Sequence, residues 1–159
     1  MAISYSLALA TPAPATDVAR ELHGVGRTLG VLDASTSADG VLDGVATGLG
    51  TWVRVTEAKA RSWDPVTNDL GMVPTVSVTF RLDTDNEIGF QQDDMVRLAS
   101  GLLDRVPGDA VLHREFEDIW LLRRGTEVTL NEQDDLWPPH RQAALSQRYR
   151  RETHTFADS

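Results

Sequence analysis

Two pairs of adjacent aspartates and one histidine are the residues whose types and spacing could support acid–base or metal chemistry. The pairs are Asp93-Asp94 and Asp134-Asp135, and His140 follows the second pair. Carboxylates that folding brings together can share a proton, bind a cation or act with a histidine. A hydrolytic site would need at least three of these side chains within hydrogen-bond reach in one cleft. We favour a structural interpretation, in which the first pair begins a helix and the second forms a turn.

Other motifs of catalysis or cofactor binding do not occur in the sequence. The chain has no cysteine, which excludes disulfides, thiolate metal sites and cysteine nucleophiles. The histidines lie at positions 23, 113, 140 and 154, so no two have the spacing of a zinc-binding helix. No Gly-x-Ser-x-Gly motif and no glycine-rich phosphate loop is present. The sequence therefore predicts a protein without a metal site, a cofactor or a catalytic site.

Trp63, Trp137 and Arg141 are the first candidates for contact with another protein. Tryptophan and arginine are enriched among the residues that contribute most to binding. Trp63 lies in a predicted loop, and Trp137 and Arg141 flank two prolines that follow the last predicted strand. The acidic pairs and the nearby histidine complete the predicted partner-binding set, which is Trp63, Asp93, Asp94, Asp134, Asp135, Trp137, His140 and Arg141.

Hydrophobic periodicity predicts an α+β domain that would position these residues. Apolar residues alternate in the predicted strands and recur at helical spacing in two helices. The predicted strands are residues 3–9, 41–47, 51–57, 75–82, 110–116, 119–124 and 127–130, and the predicted helices are residues 14–29 and 91–106. Residues 58–74 are predicted to be a long loop, with Asp64-Pro65 and Gly71 as turn signals. This order predicts a mainly antiparallel sheet with both helices packed on one face.

The chain length predicts one domain. Residues 1–137 would form this domain, and residues 138–159 would be a polar, basic C-terminal arm. The order strand–helix–strand–strand occurs twice, in residues 1–57 and 75–130, which suggests a duplicated unit.

The charge is acidic and unevenly distributed. The formal net charge is −9, and residues 1–137 carry 22 acidic against 11 basic side chains. An acidic surface repels nucleic acid and anionic membranes and attracts a basic partner. No apolar run is long enough to span a bilayer, and the N-terminus lacks the basic region of a signal peptide. We expect a soluble, cytoplasmic protein that binds neither nucleic acid nor membrane and is a monomer or a weak homodimer.

Several segments together resemble one protein family. The most specific is the Asp-Asp-Leu-Trp-Pro-Pro-His-Arg segment at residues 134–141, and the others are residues 3–12, 49–55, 74–82 with 92–95, and 120–125. These segments resemble the immunity proteins of the swarming-inhibition toxin–immunity systems, of the third Sit type. The resemblance spans roughly residues 3–150, which is nearly a whole domain.

The resemblance implies a protein without enzymatic activity that binds and neutralises a cognate toxin. The acidic charge would suit a basic toxin domain. A small-ligand sensor is the alternative, because duplicated strand–helix–strand–strand modules resemble the GyrI-like ligand-binding fold. A deep apolar pocket between the two helices and the sheet would favour the sensor. A filled core with an exposed acidic face would favour the toxin-binding protein, and a hydrolase remains the third hypothesis.

Overall fold

A computed structural model describes residues 3–59 and 61–156, so the end of the predicted C-terminal arm, residues 157–159, lies outside the described residues. Within these ranges the strands are β1 (Ile3–Ala10), β2 (Val45–Ala46), β3 (Trp52–Glu57), β4 (Val76–Leu82), β5 (Asp109–Arg114), β6 (Asp118–Arg124), β7 (Glu127–Leu130) and β8 (Arg150–Arg151). The helices are α1 (Ala15–Thr28), α2 (Ala38–Asp43), α3 (Pro65–Leu70), α4 (Ile88–Leu103) and α5 (Pro139–Gln142).

The strands form one sheet in the order β2-β3-β4-β1-β5-β6-β7-β8. Neighbouring strands are antiparallel, except that β8 lies parallel to β7. The predicted α+β class with a mainly antiparallel sheet is confirmed. No helix in the described ranges has the length and apolar composition that crossing a bilayer requires.

The main core lies between one face of the sheet and the helices α1 and α4. Strand β1 places Tyr5, Leu7 and Leu9 in this core, because side chains two residues apart point to the same face. Helices α1 and α4 contribute their apolar stripes to the same core, through Val18, Ala19, Leu22 and Val25 and through Met95, Leu98, Ala99 and Leu102. Burial of each large aliphatic side chain contributes about 2 kcal/mol.

Helices α1 and α4 are in direct contact. A Cβ atom added to Gly101 of α4 would lie 2.5 Å from Cγ1 of Val25 in α1, which is too close for real atoms. The glycine therefore permits the two helices to approach closely. No space remains between them at this level of the core.

A smaller core covers part of the opposite face and corrects the prediction for residues 58–74. These residues contain helix α3, whose Val66 and Leu70 pack with Ala8 of β1. Asp64 accepts a hydrogen bond from the main-chain N–H of Val66 at 2.9 Å, and Gly71 ends the helix in the left-handed conformation. The residues taken as turn signals are thus the start and stop signals of a short helix.

The predicted strand at residues 41–47 is also wrong in its first part. Residues 38–43 form helix α2, where the Ser37 hydroxyl accepts a hydrogen bond from the main-chain N–H of Gly40. Strand β2 has only two residues and pairs with the start of β3. Val41 is buried in the observed helix, as it would be in the predicted strand. Its apolar character therefore does not distinguish a short helix from a strand.

Residues 138–156 pack against the domain, unlike the arm predicted for this segment. Helix α5 lies beside α4, strand β8 extends the sheet, and Phe156 is 3% exposed in the smaller core. The Ser100 hydroxyl of α4 donates a hydrogen bond to Gln147 Oε1 at 2.8 Å. Most of these contacts are hydrogen bonds and ion pairs, which polar side chains make. A polar composition therefore does not distinguish this packed segment from an exposed arm.

The order strand–helix–strand–strand occurs as β1-α1-β2-β3 and as β4-α4-β5-β6, with α2 added to the first unit. In the sheet, β3 pairs with β4, whereas β5 and not β6 pairs with β1. The two units therefore share an order of elements but not an equivalent arrangement of strands.

Candidate functional site

A surface cleft of about 380 Å³ lies between α4, α5 and the turn before β3. We call it the α4 cleft. It is lined by Leu49, Phe90, Asp93, Asp94, Arg97, His140 and Arg141, among others. Four of the eight predicted partner-binding residues are in this list, although 47 residues of sequence separate Asp93 from His140.

Helix spacing places four of the lining side chains on one face of α4. Phe90, Asp93, Asp94 and Arg97 follow the i, i+3, i+4, i+7 pattern of neighbours on a helix surface. Helix α4 begins at Ile88, so the two aspartates lie in its second turn and not in its first. The prediction that these aspartates begin the helix is therefore wrong. They lie instead on the face of α4 that lines the cleft.

Arg141 is the buried charge at the edge of the cleft. Its side chain is 4% exposed, and its Nε donates a hydrogen bond to Oδ1 of Asp93 at 2.7 Å. Its Nη1 donates to the carbonyl oxygen of Leu136 at 2.8 Å, and the guanidinium lies 5.5 Å from the centre of the Trp120 ring. Arg141 thus joins α5, α4 and the main core, and the ion pair with Asp93 balances its buried charge.

His140 shares the carboxylate of Asp93. Its Nε2 lies 3.1 Å from both carboxylate oxygens, and its side chain is 65% exposed. An aspartate can orient a histidine for proton transfer. Here the same carboxylate also binds the guanidinium of Arg141. Asp93 therefore holds the side chains of His140 and Arg141 at the surface of the cleft.

Among the other aspartates of the hydrolase hypothesis, Asp94 lines the same cleft without a hydrogen bond to this pair, and Asp134 and Asp135 are not among the lining residues. Asp94 forms an ion pair with Arg97 at 3.3 Å, and Asp134 forms one with Arg151 at 3.8 Å. Asp134 and its neighbour Asp135 are exposed in the turn after β7. Among the described residues, hydrogen bonds therefore connect two of the five predicted acid–base groups, which is fewer than the three that a hydrolytic site requires.

The carboxyl group of Asp94 is partly desolvated. Burial raises the pKa of Asp94, and the neighbouring Arg97 opposes this rise in the pKa. A carboxylate in this situation is stabilised further by an additional cation.

Gln91 is a buried residue that sequence analysis missed. Its Oε1 accepts hydrogen bonds from the Thr51 hydroxyl and from the main-chain N–H of Asp83, both at 2.8 Å. Its Nε2 donates to the carbonyl oxygen of Asp83 at 2.8 Å. Gln91 therefore fixes the turn at residues 47–51 and the loop at residues 83–87 against α4.

The two apolar residues of the cleft, Leu49 and Phe90, were also missed. Asn86 Nδ2 donates to the carbonyl oxygen of Leu49 at 2.9 Å, so the same loop holds this residue. Phe90 is 60% exposed, which is unusual for so large an apolar side chain on a helix. Its position outside the apolar stripe of α4 was the one signal in the sequence that could have revealed it.

The two candidate tryptophans lie elsewhere. Trp137 is fully buried and its Nε1 donates to the carbonyl oxygen of Trp120 at 2.8 Å, so it stabilises the core. Trp63 is 59% exposed and contacts Phe116, which packs on the smaller core. Because α4 packs on the opposite face of the sheet, Trp63 and the α4 cleft belong to different surfaces.

The fold and the site define a small α+β protein with a packed core and a surface cleft that is lined by charged and apolar residues. The chain belongs to the SitI3-like family, whose model matches residues 3–141, and this match confirms the resemblance to Sit-type immunity proteins. No curated protein and no solved structure matches the chain significantly.

Proposed function

We propose that this protein is a cytoplasmic immunity protein that binds a cognate bacterial toxin and neutralises it without catalysing a reaction. Membership of the SitI3-like family over residues 3–141 carries the proposal. Neutralisation by binding requires a stable surface that is complementary to the toxin, and it requires no reacting group.

The charge of the chain supports a basic toxin domain as the partner. A net charge of −9 attracts a cationic protein and accelerates the encounter between the two. The same charge opposes binding to nucleic acid, whose phosphates would be repelled.

The site supports binding rather than catalysis. The carboxylate of Asp93 is held by both Arg141 and His140, which leaves it poorly suited to remove a proton from a substrate. The small-ligand sensor has less support, because α1 and α4 approach each other closely where Val25 faces Gly101.

Co-expression tests the proposed function. We expect the gene adjacent to the gene for this protein to encode the toxin. That neighbouring gene is expressed in a laboratory bacterium, alone or with this chain. We expect growth arrest with the toxin alone and normal growth with both proteins, and the two should purify together. A toxin of an unrelated family, expressed at the same level, is the control for a general effect on expression. The proposal fails if the adjacent toxin still arrests growth when this chain is abundant and folded.

A further inference from the structure

We infer that the α4 cleft is the surface that binds the toxin, and that it accepts a basic segment carrying an arginine or lysine next to an apolar side chain. The inference rests on the proposed function and adds the location of the site and the chemistry of its occupant. Apolar exposure, charge and rigidity of the cleft support it independently.

Exposed apolar surface in the cleft gives the first argument. Phe90 and Leu49 are 60% and 36% exposed, and both line the same cleft. Exposed aromatic and aliphatic side chains grouped in a concave surface are typical of protein-binding sites. An apolar side chain of the partner would cover both residues and remove them from water.

Charge around these residues gives the second argument. Residues 83–96 contain five acidic residues and no basic residue, and the two arginines that line the cleft, Arg97 and Arg141, are paired with Asp94 and Asp93. Asp93 and Asp94 have arginine partners within the chain, whereas Asp85 and Glu87 are exposed and form no ion pair with any described residue. These two carboxylates precede Phe90 in the loop that enters α4, so a cation beside an apolar group would satisfy both features.

Rigidity gives the third argument. The network of Gln91 holds the turn and the loop on one side of the cleft, and the network of Arg141 holds α5 on the other side. A surface that is already ordered loses less conformational entropy on binding. The cleft is therefore preorganised for binding.

The surface around Trp63 is less suited to a basic partner. Arg61 lies 5.4 Å from the centre of the Trp63 ring, and Lys59 lines the same depression. Glu57 and Asp64 line it as well, so its two acidic side chains are balanced by these two cations. Trp63 is therefore a matched control, since it is an exposed aromatic residue on the opposite side of the sheet.

Affinity measurements with the purified toxin domain from the co-expression experiment test the location. We expect Phe90→Ala to raise the Kd at least tenfold, and Trp63→Ala to leave it within twofold. Both side chains are exposed, so both variants should fold, which circular dichroism verifies. If Phe90→Ala binds like the wild type, or if Trp63→Ala alone weakens binding, the inferred location is wrong even though the proposed function stands.

A second pair of variants tests the charge of the occupant. We expect Asp85→Asn combined with Glu87→Gln to slow association and to reduce its dependence on salt, because long-range attraction is lost. Asp134→Asn combined with Asp135→Asn removes the same charge from another place and should change association less. Equal effects of the two double variants would contradict a specific basic contact at the cleft.

Failure of this inference can be distinguished from failure of the proposed function. A wild-type chain that neither binds nor neutralises the toxin contradicts both. Light scattering provides a further outcome, since we expect the same mass for the wild type and Phe90→Ala. A dimer that Phe90→Ala dissociates would show that a second copy of the chain occupies the cleft and would overturn the inference.

Discussion

Arg141 and Asp93 form a partly buried ion pair that connects the C-terminal segment to α4. The Nε of Arg141 lies 2.7 Å from Oδ1 of Asp93, and the two side chains are 4% and 25% exposed. The pair gives the cleft one of its walls, because it holds α5 in place. Together with the pairing of β8 and the burial of Phe156, it holds residues 138–156 on the domain despite their polar composition.

Arg141→Ala should destabilise the protein by about 3 kcal/mol. The substitution leaves the carboxylate of Asp93 without its main partner and removes the contact with the Trp120 ring. Urea unfolding at neutral pH measures the change. Arg97→Ala is the matched control, because it removes a more exposed ion pair on the same helix and should cost less than about 1 kcal/mol. Equal losses for the two variants would contradict the special role of Arg141.

Gln91→Ala should loosen the cleft without unfolding the domain. Three short hydrogen bonds would be lost, and the Thr51 hydroxyl and the main-chain groups of Asp83 would lose their buried partner. We expect a loss of about 2 kcal/mol and faster amide exchange in residues 47–51 and 83–87. Gln133→Ala, at an exposed position, should change neither quantity. Unchanged exchange in Gln91→Ala would show that other contacts hold the turn and loop.

Local sequence pattern predicted most of the elements and failed where distant side chains decide their ends. The alternation of β4 placed it within one residue of its observed start. Helix α4 was predicted at residues 91–106 but ends at Leu103, after which Arg123 donates hydrogen bonds to the carbonyl oxygens of Leu103, Val106 and Gly108. No pattern within the helix reveals an arginine that is distant in the sequence.

The hairpin between β5 and β6 shows a second limit. Strand β5 was predicted to continue to residue 116 but ends at Arg114, because Glu115 and Phe116 have φ angles of 48° and 63°. The main-chain N–H of Phe116 donates to Nδ1 of His113 at 3.1 Å, which helps to hold this conformation. Glutamate and phenylalanine rarely adopt positive φ angles, so these residue types gave no indication of the turn.

The candidate site was predictable in its residue types but not in its assembly. Tryptophans, an arginine, a histidine and paired aspartates were selected as binding residues, and the cleft contains four of them, Asp93, Asp94, His140 and Arg141. These residues lie close together because α5 packs against α4. This tertiary contact is not encoded in any local sequence pattern. The exposure of Leu49 and Phe90, the apolar part of the cleft, is established by the fold, and the position of Phe90 outside the apolar stripe of α4 was the one sequence signal for it.

Trp137→Phe should lower the free energy of unfolding by about 2 kcal/mol. The substitution removes the hydrogen bond from Nε1 to the carbonyl oxygen of Trp120 and leaves a small cavity. Thermal or urea denaturation measures the loss. Trp63→Phe should change the stability by less than about 0.5 kcal/mol, because Trp63 is largely exposed. A stable Trp137→Phe variant with reduced toxin affinity would instead place Trp137 in the interface.

The stability of the domain should fall as the pH decreases from 6.5 toward 4, partly because of His113. Burial lowers the pKa of His113 to about 4 from 6.5, so its neutral form is favoured in the folded state. The contribution of neutral His113 to the free energy of unfolding is complete above pH 6.5. It is lost as the pH falls through the pKa of the folded state, by about 3 kcal/mol in total. His113→Asn should have a shallower pH dependence in this interval. Parallel stability profiles of the wild type and the variant would contradict this assignment.

Amide exchange of the complex with the toxin domain tests most directly whether the α4 cleft is the binding surface. We predict slower exchange in the turn at residues 47–51 and in the loop at residues 83–87 when the toxin is bound, because both border Leu49 and Phe90. Residues 61–73, around Trp63, should exchange at the same rate in the free and bound protein. Protection of residues 61–73 without protection of the turn and the loop would contradict the account.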